Sequence, residues 1–124
     1  MSITLKGSGF SCPIRSQGMY SDNTPMVKFA DFNEVVKKSD TMVIRYADMT
    51  EFMTAMFLVD AIIDNGGWIR RLILPYVPGA RQDRTNLTGD VLVTLASVAA
   101  MINDRAFERV VILDPHSPVT TQSI

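Results

Sequence analysis

The sequence predicts an α/β domain built on a parallel sheet with helices on both faces. Three observations carry this. From residue 41 onward, short runs of apolar and β-branched residues alternate with longer segments of helical period. The centres of the short runs, Met42-Val43-Ile44, Leu72-Ile73-Leu74 and Val110-Val111-Ile112-Leu113, are apolar on both faces, as expected of strands covered on both sides. The segments between them carry helix-start and helix-stop signals and are long enough for the crossovers that parallel strands require.

Residues 2–5 read as a short edge strand. Residues 7–25 are rich in Gly, Ser, Pro and Asn and read as loop. Residues 26–29 are a second short strand, and residues 41–46 a buried one. Phe52, Met56, Val59 and Ile63 then recur at helical spacing, flanked by Met53, Phe57 and Asp60. Asp48 or Thr50 caps the start of that helix, since a short side-chain oxygen can accept from the orphan N–H groups of the first turn. Asn65-Gly66-Gly67 ends it, because glycine adopts the left-handed C-terminal cap without strain. Residues 69–74 form the next strand. Residues 87–102 form a helix opened by Thr88 or Asp90, with Val91, Leu95, Val98 and Ala99 on one face, and Asn103-Asp104 closes it. Residues 109–113 form the last strand. There is no internal repeat and no linker.

The chain has 124 residues, enough for one domain with a core of its own. Net charge is −1 and the sequence pI about 5.7, without the basic excess of a general nucleic-acid binder. Cys12 is the single cysteine and cannot form an internal disulfide, which fits a reducing compartment. No charged-then-apolar leader opens the chain and no apolar run spans a bilayer. The expectation is a soluble, cytoplasmic protein with neither nucleic acid nor membrane as partner. Met49, Met53 and Met56 are expected in core or subunit packing, as is Trp68. Lys37-Lys38 is too short for a nucleic-acid patch, and Asp104-Arg105 and Glu108-Arg109 read as surface pairs.

Two strand ends carry the chemistry. Leu72-Ile73-Leu74 runs into a Pro/Gly turn that presents Arg81, Gln82, Asp83 and Arg84 in succession. Val110-Val111-Ile112-Leu113 ends in Asp114-Pro115-His116, with the only histidine of the chain. Open α/β sheets bind ligands at the carboxyl ends of their strands. Guanidinium groups at one such end and a carboxylate beside an imidazole at another suit a metal–polyphosphate complex. The planar fork of Arg81 can hold phosphate oxygens bidentately, and Gln82 can donate or accept without adding charge. Asp83 orients Arg81 or Arg84. Magnesium takes oxygen ligands and borrows substrate phosphates, so Asp114 is a suitable ligand. His116 either completes the metal site or hydrogen-bonds a phosphate. The bland alternative is a surface turn with a local ion pair worth about 0–1 kcal/mol.

The run Pro75-Tyr76-Val77-Pro78-Gly79-Ala80-Arg81-Gln82-Asp83-Arg84 resembles the Pro-Tyr-x-x-x-Ala-Arg-Gln-Asp-Arg signature of the ribose-phosphate diphosphokinases, or phosphoribosyl pyrophosphate (PRPP) synthetases. Asp114-Pro115-His116 is similar to the family's Asp-Leu-His metal loop. Phe29-Ala30-Asp31-Phe32-Asn33-Glu34 echoes its Phe-x-Asp-x-Glu adenine-binding loop, with one extra residue before Glu34. The resemblance covers roughly residues 26–124 and is most specific at Ala80–Arg84.

It implies a type I phosphoribosyltransferase-like fold, residues 1–124 corresponding to the N-terminal, ATP-binding domain of a two-domain enzyme. The resemblance assigns the family's ribose-5-phosphate loop to a C-terminal domain that is expected to be absent from residues 1–124. The implied activity is transfer of the diphosphate of Mg·ATP to ribose 5-phosphate, giving PRPP and AMP. This chain would supply the ATP and Mg2+ half-site and be insufficient alone for full turnover. By the same resemblance Arg81, Gln82, Asp83, Arg84 and His116 contact ATP, Phe29, Asp31 and Glu34 bind adenine, and Asp114 with His116 holds magnesium. Adenine in that family sits across a subunit boundary, so a homo-oligomer is expected. Thr85 stands where the family often has lysine, and the family's Gly-Asn-Ala segment near the N-terminus has no counterpart. A non-catalytic regulatory or interaction subunit of a PRPP synthetase is the alternative.

Overall fold

The structure is a computed structural model and describes residues 3–45, 48–75, 94–113 and 124. Seven strands and three helices occur among them: β1 (Ile3–Gly7), β2 (Phe10–Pro13), β3 (Ser16–Met19), β4 (Pro25–Val27), α1 (Phe32–Lys38), β5 (Thr41–Ile44), α2 (Met49–Asp64), β6 (Arg71–Leu74), α3 (Thr94–Asn103) and β7 (Arg109–Ile112). Five strands form one sheet in the order β2-β1-β5-β6-β7, and β3 with β4 forms a separate hairpin.

The α/β class holds, and the pairs β5–β6 and β6–β7 are parallel as expected. The sheet as a whole is mixed, because β1 runs antiparallel to both β2 and β5. Three further expectations are corrected. The first strand is an interior strand, with Ile3 and Leu5 buried. The segment read as loop, residues 7–25, holds β2, β3 and the start of β4. Of its glycines, Gly9 serves a turn: it has φ +67 between β1 and β2, a conformation open to glycine at no steric cost. Phe32–Lys38 is a helix, where the sequence reading saw only a binding loop.

Gly7 shows why the end of β1 tolerates no side chain. A Cβ there would stand 1.7 Å from the Lys38 carbonyl oxygen. The approach is tight because the Asp40 N–H donates to the Lys6 carbonyl at 2.9 Å, tying the end of α1 to β1.

α2 supplies the largest share of the core. Asp48 caps it, its carboxylate accepting from the Glu51 N–H at 2.8 Å, and Gly66 follows the Asn65 C-cap at φ +88. Phe52, Ala55, Met56, Val59 and Ile62 are fully buried. They pack with Leu5, Met42, Ile44, Leu72 and Leu74 of the sheet and with Leu95, Val98 and Ile102 of α3. Ile63, expected in the buried stripe, is 41% exposed, and Ile62 takes its place. The described part of the last helix begins at Thr94, so Thr88, Asp90 and Val91 lie outside the described residues.

Arg105 is not a surface pair with Asp104. Its side chain is only 15% exposed and reaches back to α2, donating to Asp60 Oδ2 at 2.9 Å and to the Met56 carbonyl at 3.4 Å. It also donates to the Met101 carbonyl at 2.6 Å, one of the acceptors left open at the end of α3. One guanidinium therefore ties the end of α3 to the middle of α2. Among the described residues no helix is long and apolar enough to cross a membrane.

Candidate functional site

The carboxyl ends of β6 and β7 are the two strand ends that lead into the signature motifs. Leu74 stands opposite Ile112 in the parallel register, and the Leu113 N–H donates to the Leu74 carbonyl at 3.1 Å. Neighbouring strands lie roughly 4.8 Å apart. The chain therefore leaves β6 toward Arg81 and leaves β7 toward Asp114 from adjacent points on one edge of the sheet. Pairing is what brings them side by side, since Leu74 and Ile112 are far apart in sequence. Arg81, Gln82, Asp83, Arg84, Asp114 and His116 themselves lie outside the described residues.

Phe29, Asp31 and Glu34 are described, and the structure gathers them at the start of α1. The Asp31 carboxylate is the N-cap, with extended backbone (φ −143, ψ 90), and it accepts from the Glu34 N–H at 3.2 Å. Glu34 is an exposed first-turn acid, placed where the helix dipole favours negative charge. The Phe29 ring is half-buried and stacked on Phe32, centroids 5.3 Å apart with 27° between planes. Asp31 thus has a structural duty that its sequence position alone did not reveal.

The tip of the β3–β4 hairpin carries a second aromatic-x-Asp pattern that the sequence reading passed over, Tyr20-Ser21-Asp22-Asn23-Thr24. Tyr20 is 55% exposed. Asp22 Oδ1 accepts from the Thr24 hydroxyl at 2.7 Å and from the Thr24 N–H at 3.1 Å. The hydroxyl bond first, and the backbone bond after it, hold the Asp22 carboxyl below its ordinary range. Asn23 sits at φ +67, and the Tyr20 and Thr24 backbones close the turn through the bonds Tyr20 N–H to Thr24 O and Asn23 N–H to Tyr20 O, both 2.9 Å. The signal that could have found it is the tight-turn triplet Ser-Asp-Asn directly after an aromatic.

At the opposite, amino edge of the sheet a cavity of about 800 Å³ is lined in part by Lys37, Lys38, Ser39, Trp68 and Arg70. The buried Ser39 Oγ has no hydrogen-bond partner among the described residues. Trp68 is 43% exposed, donates Nε1 to the Ala106 carbonyl at 3.2 Å, and carries the Arg70 guanidinium 5.0 Å from its ring centroid. It packs one edge of the fold together, as the sequence suggested.

No family model matches the chain, and no curated protein sequence matches it. The structural comparison does give a match: the crystal structure of phosphoribosylpyrophosphate synthetase from Mycobacterium smegmatis, with a TM-score of 0.70 over 90% of this chain at 20% sequence identity. The fold is that of a PRPP synthetase. The chain spans 37% of that enzyme's length. The family that the Ala80–Arg84 motif resembles and the family of the matching structure are thus the same, one reached through residues and the other through backbone geometry.

Proposed function

We propose that this chain is the N-terminal, ATP-binding part of a ribose-phosphate diphosphokinase and supplies the Mg·ATP half-site for diphosphate transfer to ribose 5-phosphate. The observation that carries the reading is the register of β6 and β7. It sets the strand ends that precede the Arg81–Arg84 and Asp114–His116 motifs next to one another, at the edge where such sheets bind ligands. The PRPP synthetase fold supports it independently.

In this reading Arg81 and Arg84 neutralise ATP phosphate charge, Asp83 orients them, and Gln82 hydrogen-bonds without adding charge. Asp114 offers magnesium a hard carboxylate oxygen, and His116 either joins it or donates to a phosphate. Magnesium, when bound, would supply shielding of the phosphate charge while the diphosphate passes to the ribose hydroxyl and AMP departs. Ribose 5-phosphate is the acceptor of the complete enzyme, and a homo-oligomer completes the adenine contact across a subunit boundary.

For that adenine contact the first assignment is Phe29, Asp31 and Glu34. A second is favoured by the hairpin tip, where Tyr20 and Asp22 stand exposed at the aromatic-x-Asp spacing of the family's pattern, with Thr24 where that pattern has glutamate. Asp31 and Phe29 are already engaged within the fold.

Calorimetric titration with ATP, with and without magnesium, tests the proposal. Magnesium-dependent binding is expected, weakened roughly tenfold or more by Arg81→Ala and by His116→Ala, since each removes a hydrogen bond to a charged group. Binding unchanged in both variants refutes the site. Tyr20→Ala and Asp22→Asn, compared with Phe29→Ala and Asp31→Asn, decide between the two adenine assignments.

A further inference from the structure

Asn65 is the one asparagine in the chain that is followed by glycine. That pair is chemically labile. The glycine nitrogen has no side chain beside it and can attack the asparagine side-chain carbonyl, closing a five-membered ring. Asn23, Asn33, Asn86 and Asn103 are followed by Thr, Glu, Leu and Asp, whose side chains hinder the same attack. Asn65 is also exposed, so water reaches it.

The fold holds the pair in an unreactive geometry. Asn65 has ψ 16, which turns the Gly66 nitrogen away from the Asn65 side chain. Asn65 Nδ2 donates to the Ala61 carbonyl at 2.8 Å, and the Gly66 N–H donates to the Ile63 carbonyl at 3.0 Å. Leaving group and nucleophile are thus both engaged. Gly67 is wedged in place: a Cβ there would lie 2.7 Å from Ile62 Cγ2 and 3.0 Å from the Val36 carbonyl oxygen. Reaction requires the last turn of α2 to open and ψ to rotate, and helix ends open more readily than whole domains unfold.

We propose that Asn65 is a site of spontaneous deamidation, gated by opening of the C-terminal turn of α2. In the opened turn the Gly66 nitrogen loses its proton to hydroxide and bonds to Asn65 Cγ. The Cγ–Nδ2 bond breaks, and the nitrogen takes a proton from water and leaves as ammonia. Water then opens the succinimide at either carbonyl, giving aspartate or isoaspartate. Neither product fits the turn. A carboxylate cannot donate to the Ala61 carbonyl, and it adds negative charge at a helix C-terminus whose last turn has no basic residue. Lys37, Lys38 and Arg70 line the same cavity as Asn65 and offset part of that charge. Isoaspartate also lengthens the backbone of the turn that seats Gly67. The opened turn deamidates, and the deamidated turn stays open. The site lies at the amino edge of the sheet and does not depend on the Mg·ATP reading.

The test is incubation of the full chain at neutral pH with and without denaturing urea, with Asn65 conversion followed by peptide mapping and isoaspartate-specific enzymatic methylation. In the unfolded chain Asn65 is expected to convert faster than the other four asparagines. Folding is expected to slow it about tenfold or more, the effect of a turn open in at most about a tenth of the molecules. Gly67→Ala keeps the Asn65-Gly66 pair but crowds Ile62 and Val36, so it speeds conversion in the folded chain. Equal rates in folded and unfolded chain, or a folded Gly67→Ala that converts no faster than wild type, overturn the gate. An unfolded chain in which Asn65 converts no faster than the other asparagines overturns the site. Should Gly67→Ala fail to fold, the wild-type comparison decides alone.

Discussion

Asp31 separates a structural role from a binding role more sharply than any other residue of the candidate site. Its carboxylate accepts from the Glu34 N–H at 3.2 Å and thereby serves one of the orphan donors of α1. α1 has seven residues, so one unsatisfied donor is a large share of its terminal bonding. Asp31→Ala removes the cap at a cost of about 1 kcal/mol. With a urea slope of roughly 1–2 kcal/mol/M, the unfolding midpoint falls by about 0.5–1 M. Asp31→Asn keeps a capping oxygen and loses the charge, so stability falls by only about 0.3 kcal/mol, the share owed to the helix dipole. Urea unfolding monitored by circular dichroism measures both variants. A midpoint for Asp31→Ala within about 0.1 M of wild type refutes the capping argument. The same two proteins, titrated with Mg·ATP, then report on function. If Asp31 is only a cap, Asp31→Asn binds as wild type does; if its carboxylate also meets the nucleotide, Asp31→Asn weakens binding without destabilising the fold.

Arg105→Ala removes two hydrogen bonds that reach α2 and a third to the Met101 carbonyl of α3, so a loss of about 2–3 kcal/mol is expected, moderated because Asp60 is half exposed. Equilibrium unfolding checks it, and a loss under about 0.5 kcal/mol would mean the contacts are incidental to stability. The Asp22 carboxyl is held below its ordinary value near 3.8 by Thr24, so its contribution to the hairpin turn is complete above that value and disappears as pH falls through the lower folded-state pKa. The Thr24 amide signal should therefore titrate with a midpoint below 3.8, and a midpoint at or above it contradicts the turn geometry.

The parts of this fold legible in the sequence are those governed by local or one-dimensional signals. β5, β6 and β7 are apolar runs because parallel strands covered on both faces leave no polar side to display. α2 was bounded almost to the residue by Asp48 and Asn65-Gly66, since caps act on their own first and last turns. β2, β3 and α1 were missed for the converse reason. The hairpin strands are short and made of Ser, Gly, Cys and Pro as much as of β-formers, and α1 has seven residues, too few for a period to show. Ile62 and Ile63 are adjacent isoleucines, and only the angle at which α2 meets the sheet decides which one is buried.

The candidate site divides along the same line. By itself the sequence determined the chemistry on offer: two guanidinium groups and an amide after one strand, a carboxylate and the sole imidazole after another, in a motif specific enough to suggest a family. Tertiary structure alone decided that those two strands are neighbours in register, because hydrogen-bonded pairing is a relation between segments far apart in the chain. It alone assigned Asp31 to a helix cap, brought Arg105 across to Asp60, and stacked Phe29 on Phe32. A residue's type limits which bonds it can make, and only the folded chain settles which partners come within reach.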